Sequence, residues 1–374
     1  LLRAGHTVKV VDLRARRYIT EADIPEADCV GVSSTSGEIE WARTVGRLAH
    51  ARGIKTMLGG AHASFVPGEA AEHYWDYIIK GDGELAAPEA LRQGKVGVYQ
   101  MPLDDLAGWF PAWKVIGGQG LSRELFTGAG YGEGPLAAGA LSSRGCPYHC
   151  SYCRSERDRV RYRPIDDVVT EIGGLIEGMG VRHYRFYDES LTLNKKRALE
   201  LFRALEPLGV HIRAHTRSDA WDDELAEAFK RAGGEEMGFG FEAASDHVLE
   251  KIRKQETVEQ HREAVRVCKR QGVICKAFLM VGLPLQRWPE IEDIKRFMAE
   301  ERPDRWIVSV FAAYPGSDVW ACPVKYNVTY LDLSFDHYWN FPERPTIGYQ
   351  DNSKEDIWEQ YQDLTAWLER EFPR

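Results

Sequence analysis

Short apolar runs of about four to eight residues recur along the chain, and amphipathic stretches separate them. Near the amino end, the runs "HTVKVVDL", "CVGVSSTS", "KTMLGGAHAS" and "WDYIIKGDGE" have the composition of strands. Between the second and third runs, Trp41, Val45 and Leu48 recur at helical spacing. This alternation predicts an open, mostly parallel, Rossmann-like sheet over residues 1–95. Because "LLRAG" has the pattern of a helix end leading into a strand, we expect a first strand to precede Leu1.

A second alternating region follows a Gly-, Pro- and Trp-bearing linker at residues 96–138. Six further strand candidates are separated by helices, of which "DDVVTEIGGLIEGMG" has the clearest apolar face. Repeated strand–helix units predict a parallel barrel over residues 139–320, with its site at the carboxyl ends of the strands. The last segment, residues 321–374, is aromatic and irregular and then forms a packing helix lined by Ile357, Tyr361, Leu364 and Leu368. The predicted class is α/β, with an open sheet followed by a (β/α)6-type partial barrel.

Charge changes this picture little. The chain has 48 basic and 57 acidic residues, a net charge of −9, and no long run of one sign. That balance shows no nucleic-acid or membrane footprint, and it favours a small-molecule or peptide partner. No apolar stretch approaches the roughly 20 residues of a membrane-spanning helix, and no signal peptide is visible. We therefore expect a cytoplasmic protein.

The chemistry is concentrated in "RGCPYHCSYC", which holds three of the seven cysteines: Cys146, Cys150 and Cys153. Thiolates are soft ligands that suit zinc or iron–sulfur clusters. Structural zinc needs four ligands, and His149 is the only extra donor within the loop, where tetrahedral geometry is hard to reach. A four-iron cluster held by three thiolates instead leaves one iron open to a substrate or cofactor.

The other cysteines have ordinary interpretations. Cys29, Cys268 and Cys275 lie in apolar stretches and are interpreted as packing residues, whereas Cys322 lies beyond the last barrel strand.

The cysteine loop after a first barrel strand resembles that of the radical S-adenosylmethionine (SAM) enzymes, and the resemblance covers about residues 139–320. It implies that Cys146, Cys150 and Cys153 bind a catalytic [4Fe–4S] cluster whose open iron chelates SAM. Tyr152 matches the aromatic position near the adenine. In that family, cleavage of SAM yields a 5′-deoxyadenosyl radical that abstracts hydrogen, while the protein supplies position and excludes water.

Further motifs of that resemblance follow the barrel strands in order. Asp188 and Glu189 in "FYDES" match the position that binds the methionine ammonium, although solvated surface acids are the alternative. Arg217 in "HTRSD" is a candidate for the methionine carboxylate, with a salt bridge across the rim as the alternative. Glu242 and Ser245 in "GFGFEAAS" match the ribose-contacting position.

The motifs "GHTVKVVDL", "GVSSTS", "LGGAHAS" and "GDGE" resemble, in this order, the cobalamin-binding domain of the cobalamin-dependent radical SAM enzymes. The resemblance implies two sets of contacts. The nucleotide tail would be lined by Ser34, Thr35, Gly59 and Gly60, and the corrin edge would lie near Gly81, Gly83 and Glu84. The alternative is that each glycine only makes a tight turn. The chain lacks a D-x-H-x-x-G motif, which leaves the lower axial ligand open.

Together these resemblances imply a cobalamin-dependent radical SAM enzyme, with methyl transfer to an unactivated carbon or phosphorus as the leading hypothesis. An external one-electron reductant of the flavodoxin or ferredoxin type would be its partner. The alternatives are a cobalamin-dependent radical cyclase or rearrangement enzyme, a radical SAM enzyme whose first domain no longer binds cobalamin, and an iron–sulfur electron carrier.

Overall fold

The computed structural model describes residues 1–11, 18–71, 74–116, 121–123, 126, 134–154, 159–335, 338 and 344–373. Its strands form two parallel sheets that follow one another along the chain, and two small antiparallel pairs. Short 3-10 turns occur at Leu2–Ala4, Glu21–Asp23, Ser36–Glu38, Glu206–Leu208, Ser218–Ala220 and Pro323–Tyr326.

The first sheet has four parallel strands in sequential order. They are β1 (Cys29–Ser33), β2 (Lys55–Gly59), β3 (Tyr77–Ile79) and β4 (Gly97–Tyr99). The helices of this region are α1 (Ile39–Ala51), α2 (Gly60–Phe65), α3 (Pro67–Ala71) and α4 (Gly83–Gln93). Three of the four predicted strand runs are confirmed.

The run "HTVKVVDL" differs from its prediction, because residues 6–11 are not in a strand and residues 12–13 lie outside the described residues. Residues 6–11 are also mostly exposed, so no buried face supports a strand there. Strand β4 lies beyond the predicted boundary at residue 95, because its main chain completes the edge of β3.

The second sheet contains six parallel strands, preceded by the antiparallel edge strand β5 (Leu121–Ser122). The parallel strands are β6 (Ala137–Ala140), β9 (His183–Phe186), β10 (His211–Thr216), β11 (Gly234–Glu242), β12 (Ile274–Val281) and β13 (Arg305–Val310). All six strand candidates of this region are confirmed. Among the described residues, β13 and β5 are the two edges of the sheet, so it is open rather than closed into a ring.

The remaining elements surround these strands. The antiparallel pairs are β7 (Ser143–Arg144) with β8 (Arg161–Tyr162), and β14 (Val328–Leu331) with β15 (Ile347–Tyr349). The helices are α5 (Trp113–Ile116), α6 (Ile165–Met179), α7 (Lys195–Leu205), α8 (Asp223–Arg231), α9 (Asp246–Lys251), α10 (Val258–Gln271), α11 (Trp288–Glu301), α12 (Asp318–Ala321) and α13 (Lys354–Glu371).

One face of each barrel strand packs against the helices. On β11, Met237, Phe239 and Phe241 are buried in the main hydrophobic core, and the alternate positions 238, 240 and 242 face the other way. Cys268 and Cys275 are fully buried, as their packing interpretation requires. Helix α13 buries Ile357, Leu364 and Leu368, which confirms most of its predicted face, while Tyr361 is only partly buried. No helix among the described residues is long and apolar enough to cross a membrane.

The last segment also contacts the first domain. Phe335 and Tyr338 share a buried cluster with Ile39 and Leu58, which belong to α1 and β2. Phe335 and Tyr338 therefore join the last segment to the first sheet.

Candidate radical and cobalamin sites

The cysteine loop is fastened at both of its ends. Strands β7 and β8 pair so that Ser143 lies opposite Tyr162 and Arg144 lies opposite Arg161. In the middle of the loop, the main-chain N–H of Ser151 donates to the carbonyl of Ile252 at 2.8 Å. A loop held by backbone bonds at its ends and centre can present side chains in fixed positions.

Asp188 fastens the same loop from the end of β9. Its carboxylate accepts hydrogen bonds from the Ser142 hydroxyl at 2.7 Å, from the Ser143 hydroxyl at 2.5 Å and from the Ser142 main-chain N–H at 3.0 Å. The side chain is buried, and burial raises the pKa of Asp188 even though these donors act against the rise. Because both oxygens of Asp188 are engaged by the protein, its role as a ligand for the methionine ammonium stays a prediction that the geometry does not favour.

Glu189 lies differently, although it is the next residue. It is exposed, and its carboxylate acts electrostatically on the Cys146 thiol. Of the two acids in "FYDES", Glu189 therefore lies where a cationic group near the cysteine loop would meet a carboxylate.

The three thiols of the loop act on one another. Burial raises the pKa of Cys146 and of Cys150, and the Cys153 thiol contributes to both shifts. Arg217 opposes the shift at both thiols, and Lys254 opposes it at Cys150, so cations face the place where thiolates would form. None of the three cysteines is in a disulfide bond. Among the described residues, no three His, Cys, Asp or Glu side chains surround a single ion position.

Tyr152 connects the cysteine loop to a buried cluster of charged side chains, Glu242, Lys254 and Glu256. Its hydroxyl donates to Glu242 at 3.2 Å and accepts from the Lys254 ammonium at 3.2 Å. Lys254 also lies 3.5 Å from Glu242 and 3.2 Å from Glu256. Burial disfavours the charged form of Lys254, but the two carboxylates outweigh burial and raise its pKa. The predicted residues Tyr152 and Glu242 thus meet directly, and a lysine that sequence reasoning missed contacts both.

Arg217 extends this group. Its guanidinium binds Asp219 through two hydrogen bonds of 2.8 and 2.9 Å and donates to the Gln255 carbonyl at 3.1 Å. It also stacks on the Tyr148 ring with a separation of 3.6 Å from the ring centre. The fork predicted for the methionine carboxylate is therefore occupied by Asp219, and that role stays a prediction. Arg217 also lies 3.6 Å from the Glu256 carboxylate, which is a contact of the kind that the salt-bridge alternative describes.

Ser245 and Glu242 end β11 and begin the following turn. Ser245 is buried, and its hydroxyl lies 2.7 Å from Nδ1 of His247. Glu242 has a positive φ of 63°, which is rare for a residue with a side chain and marks a constrained position. The ribose contacts predicted for both stay predictions.

The predicted cobalamin residues gather at one edge of the first sheet, where β1, β2 and β3 end. The Ser34 main-chain N–H donates to the Gly59 carbonyl at 3.0 Å, and Thr35 donates to Glu38 at 2.9 Å through its hydroxyl. Gly60 has a φ of +89°, and a Cβ atom there would lie 2.7 Å from the main chain of Ser34. Glycine at position 60 is therefore required by close backbone packing, which is the turn interpretation; contact with the nucleotide tail stays a prediction.

The second set of predicted cobalamin residues faces the cysteine loop. Gly81 has a φ of +78°, and Gly83 is the first residue of α4. Glu84 accepts a hydrogen bond from Arg144 at 2.6 Å, and the same guanidinium donates to Asp82 at 2.8 Å. Since Arg144 lies two residues before Cys146, the predicted corrin edge adjoins the cluster loop.

Sequence reasoning missed Lys254, Glu256 and Arg144. Lys254 lies between Arg253 and Gln255, which both have positive φ, and such a turn has no hydrophobic periodicity that would single it out.

This fold and site define a protein that joins an open α/β sheet to a partial barrel with a three-cysteine loop. Residues 141–298 match the family model of the radical SAM superfamily, and residues 1–91 match that of the B12 binding domain. The chain belongs to the cobalamin-binding radical SAM enzymes.

Among curated relatives, an uncharacterized methyltransferase of Pyrococcus horikoshii is 26% identical over 88% of this chain and 77% of its own length. An anaerobic magnesium-protoporphyrin IX monomethyl ester cyclase of Rubrivivax gelatinosus is 29% identical, but the match covers 71% of this chain and only 52% of the cyclase. Among solved structures, the radical SAM methyltransferase TsrM of Kitasatospora setae, with cobalamin and a [4Fe–4S] cluster bound, has a TM-score of 0.67 at 17% identity, covering 85% of this chain and 71% of TsrM. At that identity the likeness shows a shared fold.

The residues present fit the cofactors of this family, which are a [4Fe–4S] cluster, SAM and cobalamin. Three cysteines outside any disulfide, in one fastened loop with cations beside it, suit a cluster that leaves one iron open. At the first sheet, the glycine and hydroxyl residues at the strand ends leave the backbone approachable, as ligands of open α/β sheets require.

Proposed function

We propose that this chain is a methyltransferase that acts on an unactivated carbon or phosphorus centre. The observation that carries the proposal is the contact between its two sites, in which Arg144 of the cysteine loop binds Asp82 and Glu84 at the predicted corrin edge. An enzyme that uses SAM and cobalamin on one substrate needs both cofactors to reach a common space. When bound, the [4Fe–4S] cluster, SAM and cobalamin would together supply reductive cleavage of SAM and a transferable methyl group.

The chain's own residues would hold these groups as follows. Cys146, Cys150 and Cys153 would bind the cluster, and the exposed carboxylate of Glu189 would accept hydrogen bonds from the SAM ammonium. Tyr152 is held by its bonds to Glu242 and Lys254, so its ring has a fixed orientation.

The test uses purified, anaerobically reconstituted full-length chain with hydroxocobalamin, a strong one-electron reductant and SAM labelled in its methyl group. We expect bound corrin absorption, label transferred from SAM to the protein-bound corrin, and S-adenosylhomocysteine as a product. With the substrate, labelled product and 5′-deoxyadenosine should appear as well. Full conversion of substrate with 5′-deoxyadenosine as the only SAM-derived nucleoside would refute methyl transfer.

The second candidate is a cobalamin-dependent radical cyclase. The relationship to the Rubrivivax cyclase favours it, since that is the higher of the two reported identities. A cyclase would give a product with no label from SAM and no S-adenosylhomocysteine in the same reaction. Absence of bound corrin would instead favour a hydrogen-abstracting enzyme without cobalamin, and failure to cleave SAM would favour an electron carrier.

The partners we propose are a small-molecule or peptide substrate and an external one-electron reductant of the flavodoxin or ferredoxin type, acting in the cytoplasm. Omitting the reductant from the assay should stop 5′-deoxyadenosine formation, and adding a flavodoxin with its reductase should restore it.

A further inference from the structure

Arg154 directly follows Cys153, the last cysteine of the loop. Its side chain lies on the side of the loop that faces the first domain. Its guanidinium carbon lies 4.2 Å from the centre of the Tyr314 ring, in a cation–π contact. Tyr314 belongs to the segment that follows β13, at the carboxyl end of the last barrel strand. Arg154 is therefore held at the rim of the barrel by its contact with the Tyr314 ring.

The segment that carries Tyr314 packs against the first domain. A Cβ atom at Gly316 would lie 2.3 Å from the Phe65 ring, so the main chain of this segment rests on the end of α2. Tyr314 packs against the buried cluster that includes Leu58 of β2. The Glu38 carboxylate, which follows β1, lies within electrostatic reach of the Arg154 guanidinium. Arg154 thus lies between the cysteine loop and the sheet edge that gathers the predicted cobalamin residues.

One guanidinium nitrogen of Arg154 has no acceptor among the residues that the structure describes. Within the described residues, its Nη1 is buried and has no hydrogen-bond partner. By contrast, the guanidinium of Arg144 in the same loop binds two carboxylates through its two terminal nitrogens. Buried donors of native proteins almost always have partners, because an unsatisfied one is costly. The buried nitrogen of Arg154 is therefore available to an acceptor that a ligand brings.

We propose that Arg154 donates a hydrogen bond to an amide oxygen on the edge of the bound corrin ring. Cobalamin carries amide side chains around its ring, and their oxygens accept hydrogen bonds from a guanidinium. The contacts to Tyr314 and the proximity to Glu38 place the donor on the first-domain side of the loop, which favours the corrin over SAM. The inference rests on the cobalamin-dependent function proposed above and adds a corrin contact supplied by the barrel domain.

The test compares Arg154→Met and Arg154→Lys with Arg159→Met in the full-length chain. Arg159 lies at the far end of the same loop in an exposed pair with Asp104, and serves as the matched control. Binding of hydroxocobalamin is titrated by the absorption of protein-bound corrin, and iron content, SAM affinity and thermal midpoint are measured in parallel. We expect Arg154→Met to weaken corrin binding about tenfold, Arg154→Lys to weaken it less, and Arg159→Met to leave it unchanged.

Cys153→Ala gives the corrin affinity of a chain without a cluster, so an indirect effect through cluster loss is separated from a direct one. Equal corrin affinity in wild type and both Arg154 variants would overturn the inference. So would a fall in SAM affinity with unchanged corrin binding, which would assign the donor to SAM. If Arg154→Met does not fold, the lysine variant decides between the same outcomes. A wild-type chain that binds no corrin would refute the cobalamin-dependent function itself, whereas wild-type binding with unaffected variants would refute this inference alone.

Discussion

The two candidate sites of this chain are built from different materials. Around the cysteine loop, charged side chains such as Lys254, Glu256 and Arg217 are buried and paired with one another. At the edge of the first sheet, glycine, serine and threonine bond mainly to nearby backbone and to their own turns. Buried ion pairs hold side chains in fixed positions, whereas glycine and small hydroxyl residues let backbone segments approach one another closely. The difference teaches that the geometry around the cysteine loop depends on side chains, and that the geometry at the sheet edge depends on the backbone.

The largest effect should come from the thiols themselves. Replacing Cys146, Cys150 or Cys153 with Ala should remove cluster iron and abolish 5′-deoxyadenosine formation, because each thiolate would hold a separate iron. Iron content and nucleoside analysis after reconstitution measure this. Cys268→Ala is the control: the residue is fully buried in α10, so its loss should cost about 1 kcal/mol of stability and no iron. Equal loss of iron in the Cys268 variant would show that the ligands are misassigned.

The neighbouring acids Asp188 and Glu189 should separate support from ligand binding. Asp188→Ala leaves the donors of Ser142 and Ser143 without their carboxylate, so we expect a loss of about 3 kcal/mol in the free energy of unfolding. Glu189→Gln should change that free energy much less than Asp188→Ala does and should weaken SAM binding several-fold. Denaturant unfolding measures the stability of the two variants, and SAM titration measures their affinity for SAM. An Asp188→Ala variant of normal stability with weakened SAM binding would reverse the two assignments.

The glycines of the first sheet allow a second matched comparison. Gly60→Ala and Gly81→Ala both place a side chain at positive φ, at a cost of about 1 kcal/mol each. At Gly60 the new Cβ would also meet the Ser34 main chain at 2.7 Å, whereas nothing lies within 4 Å at Gly81. We therefore expect Gly60→Ala to lose about 2 kcal/mol of stability and to retain less corrin than Gly81→Ala. Thermal unfolding and bound corrin absorption measure both; identical behaviour would mean that close packing at Gly60 does not shape this edge.

How far the sequence predicts this molecule depends on the range of each contact. The six barrel strands follow from local alternation of apolar and polar residues, which is why each of them is found where its run predicts. The run "HTVKVVDL" has the composition of a strand, yet residues 6–11 pair with no neighbour among the described residues. Strand composition alone therefore does not decide whether a sheet edge is available to a run.

The site shows the same limit at the level of side chains. The motif order predicts which positions gather at the strand ends, and Tyr152 and Glu242 do meet there. Nothing in "FYDES" indicates that Asp188 turns to Ser142 while Glu189 stays exposed, because that depends on a loop 46 residues earlier in the chain. Lys254 was missed for a related reason, since its partners Tyr152 and Glu242 come from other segments.

The smallest effect, and the one that tests how the two sites cooperate, should come from Arg144. Its bonds to Asp82 and Glu84 join the cysteine loop to the first domain, but the side chain is partly exposed, so Arg144→Met should cost only about 1 kcal/mol of stability. We expect cluster iron and corrin binding to persist while the ratio of methylated product to 5′-deoxyadenosine falls, because the relative position of the sites is loosened. Arg92→Met, which removes an exposed pair with Glu89 inside α4, is the control. Product ratios that change equally in both variants would show that the Arg144 contacts only hold the surface together, and that the two differently built sites are aligned by the packing of the aromatic segment instead.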